Sequence, residues 1–230
     1  MIDTIRREPV EMAIVDPMLG GRPRTHEIER IRLLFPSLPV MLYTTLAPES
    51  AGILLALGRA GIRRAVFTRF DDAPGSLRAA VMEELEHTAS HHVVQALTRR
   101  LDDLPGRLRW VFETALEMPA ELLTVDELAR RAQMKRRTCE RWFARSGLPS
   151  PRTVLMLARL LYAHRLLRDP GHTIEDVTLK LGYGRTKTLQ LQLKEVFGLT
   201  AGELRTAMTT EAAVEWVTAR YFPGMQQVAS

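Results

Sequence analysis

The chain has 230 residues, enough for one large domain or two small ones, and carries a net charge of +5 from 32 basic and 27 acidic side chains. A single cysteine, Cys139, excludes a disulfide framework and a thiolate metal cluster. The apolar run Ile53 to Leu57 is far too short to cross a bilayer, and the mixed acid–base N-terminus is unlike a signal peptide, so a soluble cytoplasmic protein is expected.

In chain order, residues 10–15, 39–45 and 65–68 are short, apolar and rich in β-branched or aromatic side chains, and they read as three strands. Helical periodicity fills the gaps, over Thr25 to Leu34 and over about Glu49 to Ala60, the latter closed by Gly61. Strands alternating with helices imply a parallel sheet. From Ser76 to Leu101 the pattern is helical, with Leu77, Val81 and Leu85 on one stripe and Val93, Ala96 and Leu97 on the next. His87 and His91 are spaced i, i+4 beside Glu83 and Glu84, as in a metal-binding pair, but a solvated connecting helix accounts for the same residues.

Residues 101–106 form a turn, and Leu108, Val111, Phe112, Ala115 and Leu116 then keep the rhythm of a half-buried helix ended by Met118-Pro119. A doubled unit follows. Thr-Val-Asp-Glu at 124–127 and Thr-Ile-Glu-Asp at 173–176 each place a hydroxyl at a helix start with a carboxylate two or three residues on, the chemistry that caps exposed N–H groups. Each opens a short helix, a tight turn (Gln133-Met134, then Gly182-Tyr183-Gly184) and a second helix, over 135–145 and 185–197. Between the copies, Arg152 to Arg168 is apolar on most sides and is expected to be buried between them.

On the first of these second helices, Cys139 and Phe143 share the inward face, while Arg137, Arg141 and Arg145 are four apart on the other side. Cys139 is thereby expected in the core rather than as a redox sensor. Lys135 and Arg136 occupy the first turn, where backbone N–H groups also favour phosphate. Residues 130–168 hold eleven basic side chains against Glu140 alone, a block that favours an anionic partner. In the second copy, Leu189, Leu193, Val196 and Phe197 form the buried stripe and Lys187, Gln190, Leu191 and Lys194 face away. Its charges nearly balance: Lys180, Arg185, Lys187, Lys194 and Arg205 stand against Glu175, Asp176, Glu195 and Glu203. The first copy is therefore expected to supply most of the affinity. Residues 211–221 suggest a final helix with Ala213, Val214, Val217 and Tyr221 on one side.

The pattern of Leu128-Ala129, Arg141-x-Phe143, Arg159-Leu160, Ala163-x-x-Leu166-Leu167, Leu181-Gly182-Tyr183, Leu193-Lys194, Phe197-Gly198-Leu199-Thr200 and Leu204-Arg205 resembles the C-terminal domain of the AraC/XylS transcription regulators over about 85 residues. The resemblance implies a seven-helix, double helix-turn-helix domain and a non-enzymatic, sequence-specific regulator. Its partners would be double-stranded DNA and RNA polymerase, with no cofactor and no membrane. By position it implies base-facing roles for Arg137, Glu140 and Arg141 in the first motif, and for Thr186, Lys187, Thr188, Gln190 and Leu191 in the second. Leu189 and Leu193 stand where the family has phenylalanines, Leu191 where arginine is frequent, and Ala201 where proline is common. The apolar tip of Leu191 suits a thymine methyl.

The N-terminal order resembles the second half of a response-regulator receiver, with Asp16 at the place of the phospho-acceptor and Thr44 at that of the switch threonine. About ten residues precede the first strand here, so the acidic pair that holds Mg²⁺ in that family has no counterpart, and Thr68-Arg69 replaces its Lys-Pro. A degenerate receiver kept for its surface is therefore expected, with Asp16 chemically silent. A sheet lacking its usual neighbour would leave an open edge at residues 10–15 and an uncovered apolar face, which predicts a homodimer. The alternatives are a live Asp16 and a small molecule bound under the sheet.

The expected fold is thus mainly α with an N-terminal α/β part. Its parts are a truncated receiver-like region over 1–85, a helical linker over 86–105, the DNA-binding domain over 106–207, and a short helix and tail over 208–230.

Overall fold

A computed structural model describes residues 1–86 and 104–223. The expected histidine pair His87/His91, the stripe Val93, Ala96 and Leu97, most of the 86–105 linker and the tail after Pro223 lie outside the described residues. Contacts divide the chain into two units, Met1–Thr88 with Asp169–His172, and Ala89–Arg168 with Thr173–Ser230.

In the first unit the order is α1 (Ile2–Arg7), β1 (Ala13–Val15), α2 (Thr25–Leu34), β2 (Val40–Thr44), α3 (Pro48–Arg59), β3 (Arg64–Phe67) and α4 (Pro74–Glu86), with a single 3₁₀ turn at Leu19–Gly21. The strands pair in the order β1-β2-β3, all parallel, with Ala13 opposite Val40 and Leu42 opposite Ala65. Parallel neighbours need a crossover, and α2 and α3 supply the two. Alternation along β2 then divides the core. Val40 and Leu42 join Ile28, Ile31, Phe35, Leu57 and Ile62, whereas Met41 points the other way to Val66 and Ala80.

Three expectations change here. Residues 10–15 form a strand only from Ala13 onward, and α1 precedes it unforeseen, anchored by buried Ile5. The second face of the sheet is not bare. Leu77, Ala80 and Val81 of α4 cover Met41 and Val66, because the same stripe that makes α4 amphipathic needs an apolar surface. Only Ile14 of β1 stays 51% exposed on that side, and β1 has no strand on its outer edge among the described residues.

The second unit is helical: α5 (Gly106–Glu117), α6 (Val125–Arg131), α7 (Arg136–Arg145), α8 (Pro151–Arg168), α9 (Ile174–Lys180), α10 (Thr186–Phe197), α11 (Ala201–Ala207) and α12 (Thr210–Tyr221). The seven helices α5 to α11 fill the span expected for the DNA-binding domain. Helix α8 packs against α5, α6, α7, α9, α11 and α12. It buries apolar residues from Val154 to Leu167, but also His164 and Arg165, which the periodicity did not single out. The Arg165 guanidinium lies 4.6 Å from the Tyr162 ring centroid, and Nε2 of His164 is 3.1 Å from the Met208 carbonyl oxygen.

Both repeat units are capped as the sequence suggests, with Glu127 three residues after Thr124 and Asp176 three after Thr173. Thr200 and Glu203 form a third capping box at α11. Each turn also closes alike. Gln133 N–H donates to Arg130 and Met134 N–H to Ala129; Gly182 N–H donates to Leu179 and Tyr183 N–H to Thr178. This paired arrangement requires a left-handed residue after the helix. Gly182 takes it at φ 67°, but Gln133 takes it at φ 50° with a side chain.

That difference yields a stability test. Gln133→Gly should stabilise the protein by about 0.5–1 kcal/mol by relieving left-handed strain, less glycine's entropy cost. Gly182→Ala should destabilise it by about 1–2 kcal/mol, since a Cβ there also sits 3.0 Å from Leu123 Cδ1. Urea unfolding of both variants reads the opposite signs.

Candidate nucleic-acid interface

Helix α7 is amphipathic in an unusually polarised way. Cys139 and Phe143 are fully buried against the core, while Arg137, Arg141 and Arg145 are exposed. No described residue pairs with these three arginines. They form a row of guanidinium forks one helical turn apart, a geometry suited to phosphates and guanine edges.

Arg136 and Glu140 are different. Arg136 donates through Nε to Glu140 at 2.8 Å and through Nη1 to Asp126 at 3.0 Å. The hydrogen bond to Glu140, followed by the charges of Asp126 and Glu140, raises the guanidinium's pKa further. This pair is therefore engaged within the motif and ties the start of α7 to α6. Lys135 sits exposed at the N-cap position of α7.

The basic block of residues 130–168 also shrinks once placed in space. Arg165 is buried, Arg159 is half-buried, and Arg136 is neutralised. The exposed remainder is Arg130, Arg131, Lys135, Arg137, Arg141, Arg145, Arg152 and Arg168.

On α10, Leu189, Leu193, Val196 and Phe197 are buried, and Lys187, Thr188, Gln190, Leu191 and Lys194 are exposed as expected. Thr186 is half-buried and Arg185 is the exposed N-cap. Lys187, Gln190, Leu191 and Lys194 line a groove of about 650 Å³ whose other walls include Leu167, Ile174, Ala201 and Arg205. Arg205 is held there by donating to the Leu167 carbonyl at 2.7 Å.

Two braces were not visible in the sequence. Arg107 of α5 donates to the carbonyls of Ala132 at 3.2 Å and Gln133 at 3.3 Å, and its guanidinium lies 5.8 Å from the Trp142 ring centroid. It satisfies carbonyls at the end of α6 and touches α7 at once. In the second motif Arg159 lies 5.5 Å from the Tyr183 ring centroid, and Tyr183 OH donates to Gln192 Oε1 at 2.7 Å. The aromatic residues themselves, Trp142 within α7 and Tyr183 in the second turn, are the only signals that could have found them.

Asp16 follows β1, where its Oδ1 accepts from Met18 N–H at 2.9 Å and from the Thr44 hydroxyl at 3.3 Å. The structure thus brings Asp16 and Thr44 together. Among the described residues no three His, Cys, Asp or Glu side chains gather as a metal site, and no helix is long and apolar enough to cross a membrane.

Burial, with the Glu140 charge a smaller cause, pushes the Cys139 thiol up to about 11. Only the thiolate is nucleophilic. An alkylating reagent at neutral pH should therefore leave the folded protein unmodified and label it stoichiometrically in denaturant, as read by intact mass.

No curated protein and no solved structure matches the chain. Residues 128–207 match a family model described as a helix-turn-helix domain, a stretch that runs from Leu128 in α6 to Ala207 at the end of α11. That match supports a DNA-binding helix-turn-helix domain across both braced motifs, and with it a DNA-binding transcription regulator.

Proposed function

We propose that the protein is a sequence-specific transcription regulator whose helices α7 and α10 enter adjacent major grooves of one DNA duplex. The observation that carries this reading is the row of exposed, unpaired Arg137, Arg141 and Arg145 opposite buried Cys139 and Phe143. The span of α8 supports the double insertion. Its 18 residues cover about 27 Å, and successive major grooves are about 34 Å apart.

The proposed contacts are Lys135, Arg137, Glu140, Arg141 and Arg145 in the first motif, with Arg136 orienting Glu140. In the second they are Arg185, Thr186, Lys187, Thr188, Gln190 and Leu191. The first motif supplies most of the affinity, because its outward face carries three unpaired arginines against the single carboxylate of Glu140, already paired with Arg136, while α10 presents two lysines around an apolar centre. The DNA-binding domain runs over 106–207, and promoter-bound protein would meet RNA polymerase.

The N-terminal region, 1–85, serves as a dimerisation module in this reading. The strand-free outer edge of β1 and the exposed Ile14 support it. A second reading, a phosphorylation-switched regulator, is favoured by one observation, the Asp16–Thr44 hydrogen bond. Incubation with a small phosphodonor and Mg²⁺ followed by intact mass separates the two: no mass gain is expected.

Operator affinity tests the main proposal. Arg141→Ala should weaken binding by about 1–3 kcal/mol and relax specificity at one base. Lys187→Ala should weaken it less and flatten the salt slope by about one. Equal losses would refute the asymmetry, and a footprint confined to one major groove would refute the double insertion. For the dimer, sedimentation should show a dimer in the parent and a folded monomer for Ile14→Lys.

A further inference from the structure

Leu191 stands two positions from both Leu189 and Leu193, about 200° around α10 from the buried stripe. It is 59% exposed. A single exposed leucine is ordinary on a protein surface. The neighbours give this one a direction. Lys187 lies one turn before it, Lys194 nearly one turn after, and Gln190 beside it, all exposed. Together they line the groove whose other walls include the apolar Leu167, Ile174 and Ala201, with the Glu175 carboxylate and Arg205 among them. The outward face of α10 is thus an apolar centre with an amide next to it and a cation at either end.

Base edges in the major groove offer few matches to such a face. The thymine C5-methyl is the apolar group there, a side-chain amide pairs best with adenine N6 and N7, and arginine forks suit guanine. A leucine facing guanine O6 and N7, or the cytosine amine, strips those groups of water without replacing the hydrogen bonds, which costs roughly fivefold or more in affinity. The first motif has the opposite demand, since α7 presents Arg137, Arg141 and Glu140 and no exposed aliphatic side chain between them.

We propose that α10 selects an A·T-containing step, with Leu191 against a thymine methyl and the Gln190 amide on the adenine, while Lys187 and Lys194 hold the flanking phosphates. The operator is then chemically divided, guanine-centred under α7 and A·T-centred under α10. This inference rests on the DNA-binding reading above.

The test uses the full chain and duplexes enriched from a random pool. Each thymine in the best duplex is replaced singly by deoxyuridine, which removes the methyl and keeps the pairing. At one thymine under α10 the replacement should weaken binding roughly fourfold, the value of about 0.8 kcal/mol for one buried methyl. The penalty should vanish in Leu191→Ala, which is exposed and should keep its fold by circular dichroism. Gln190→Ala should keep the uracil penalty but lose the preference for adenine at its position. A 5-methylcytosine·guanine pair at the same step restores the methyl without the adenine and should recover only the Leu191 share. Absence of any uracil penalty under α10, its persistence in Leu191→Ala, or full recovery by 5-methylcytosine would overturn the proposal. If the pool enriches no duplex, the DNA-binding reading itself falls; if it enriches one without A·T dependence under α10, only this inference does.

Discussion

Everything in the helical unit depends on burying α8 on nearly every side. A helix of 18 residues with apolar positions from Val154 to Leu167 has no stable exposed orientation, so six neighbouring helices close around it. Burial of a single large aliphatic side chain is worth about 1.5–3 kcal/mol, and this helix supplies many. The two helix-turn-helix motifs share one core through it. A large-to-small change at Leu157 or Leu160 would loosen both motifs together, not one.

Burial so complete makes the polar groups on α8 costly unless satisfied. Arg159 and Arg165 lie against Tyr183 and Tyr162. Arg205 donates to the Leu167 carbonyl at the end of the helix. Burial lowers the pKa of His164, and Nδ1 has no hydrogen-bond partner among the described residues. The neutral ring is the form this site accepts, so stability falls as pH drops from the ordinary imidazole range towards the lowered value, an interval in which the unfolded chain takes up a proton that the buried ring refuses.

Much of this was legible in the sequence because it is written locally. Thr124 with Glu127 and Thr173 with Asp176 are capping signals within four residues, and the stripes on α7 and α10 follow from a period of 3.6. The inward Cys139 and the outward Arg141 could be assigned from the same count. What was missed is non-local. Nothing near Arg107 in the chain reveals that it reaches Ala132 and Trp142, and Arg159 gives no hint of Tyr183. The covering of Met41 and Val66 by α4 depended on where a helix folds back, which periodicity does not encode. Helix α1 escaped because six residues with one buried position carry too little pattern, and Arg165 was counted as surface charge because its partner is an aromatic ring.

The tether of Arg136 to Asp126 and Glu140 has a consequence for recognition beyond charge. A free arginine or glutamate must surrender rotamer freedom when it meets a base, at about 0.5–1.5 kcal/mol per immobilised side chain. Glu140 has already surrendered much of it, because one of its oxygens is fixed by Arg136 while the other remains available to accept. Under the proposed reading, the carboxylate is held ready on α7 before any duplex arrives. An arrangement of this kind gains little attraction from the ion pair itself, which is exposed and salt-screened. Its value lies in lost disorder, so Arg136 would act on the operator by keeping its neighbour still.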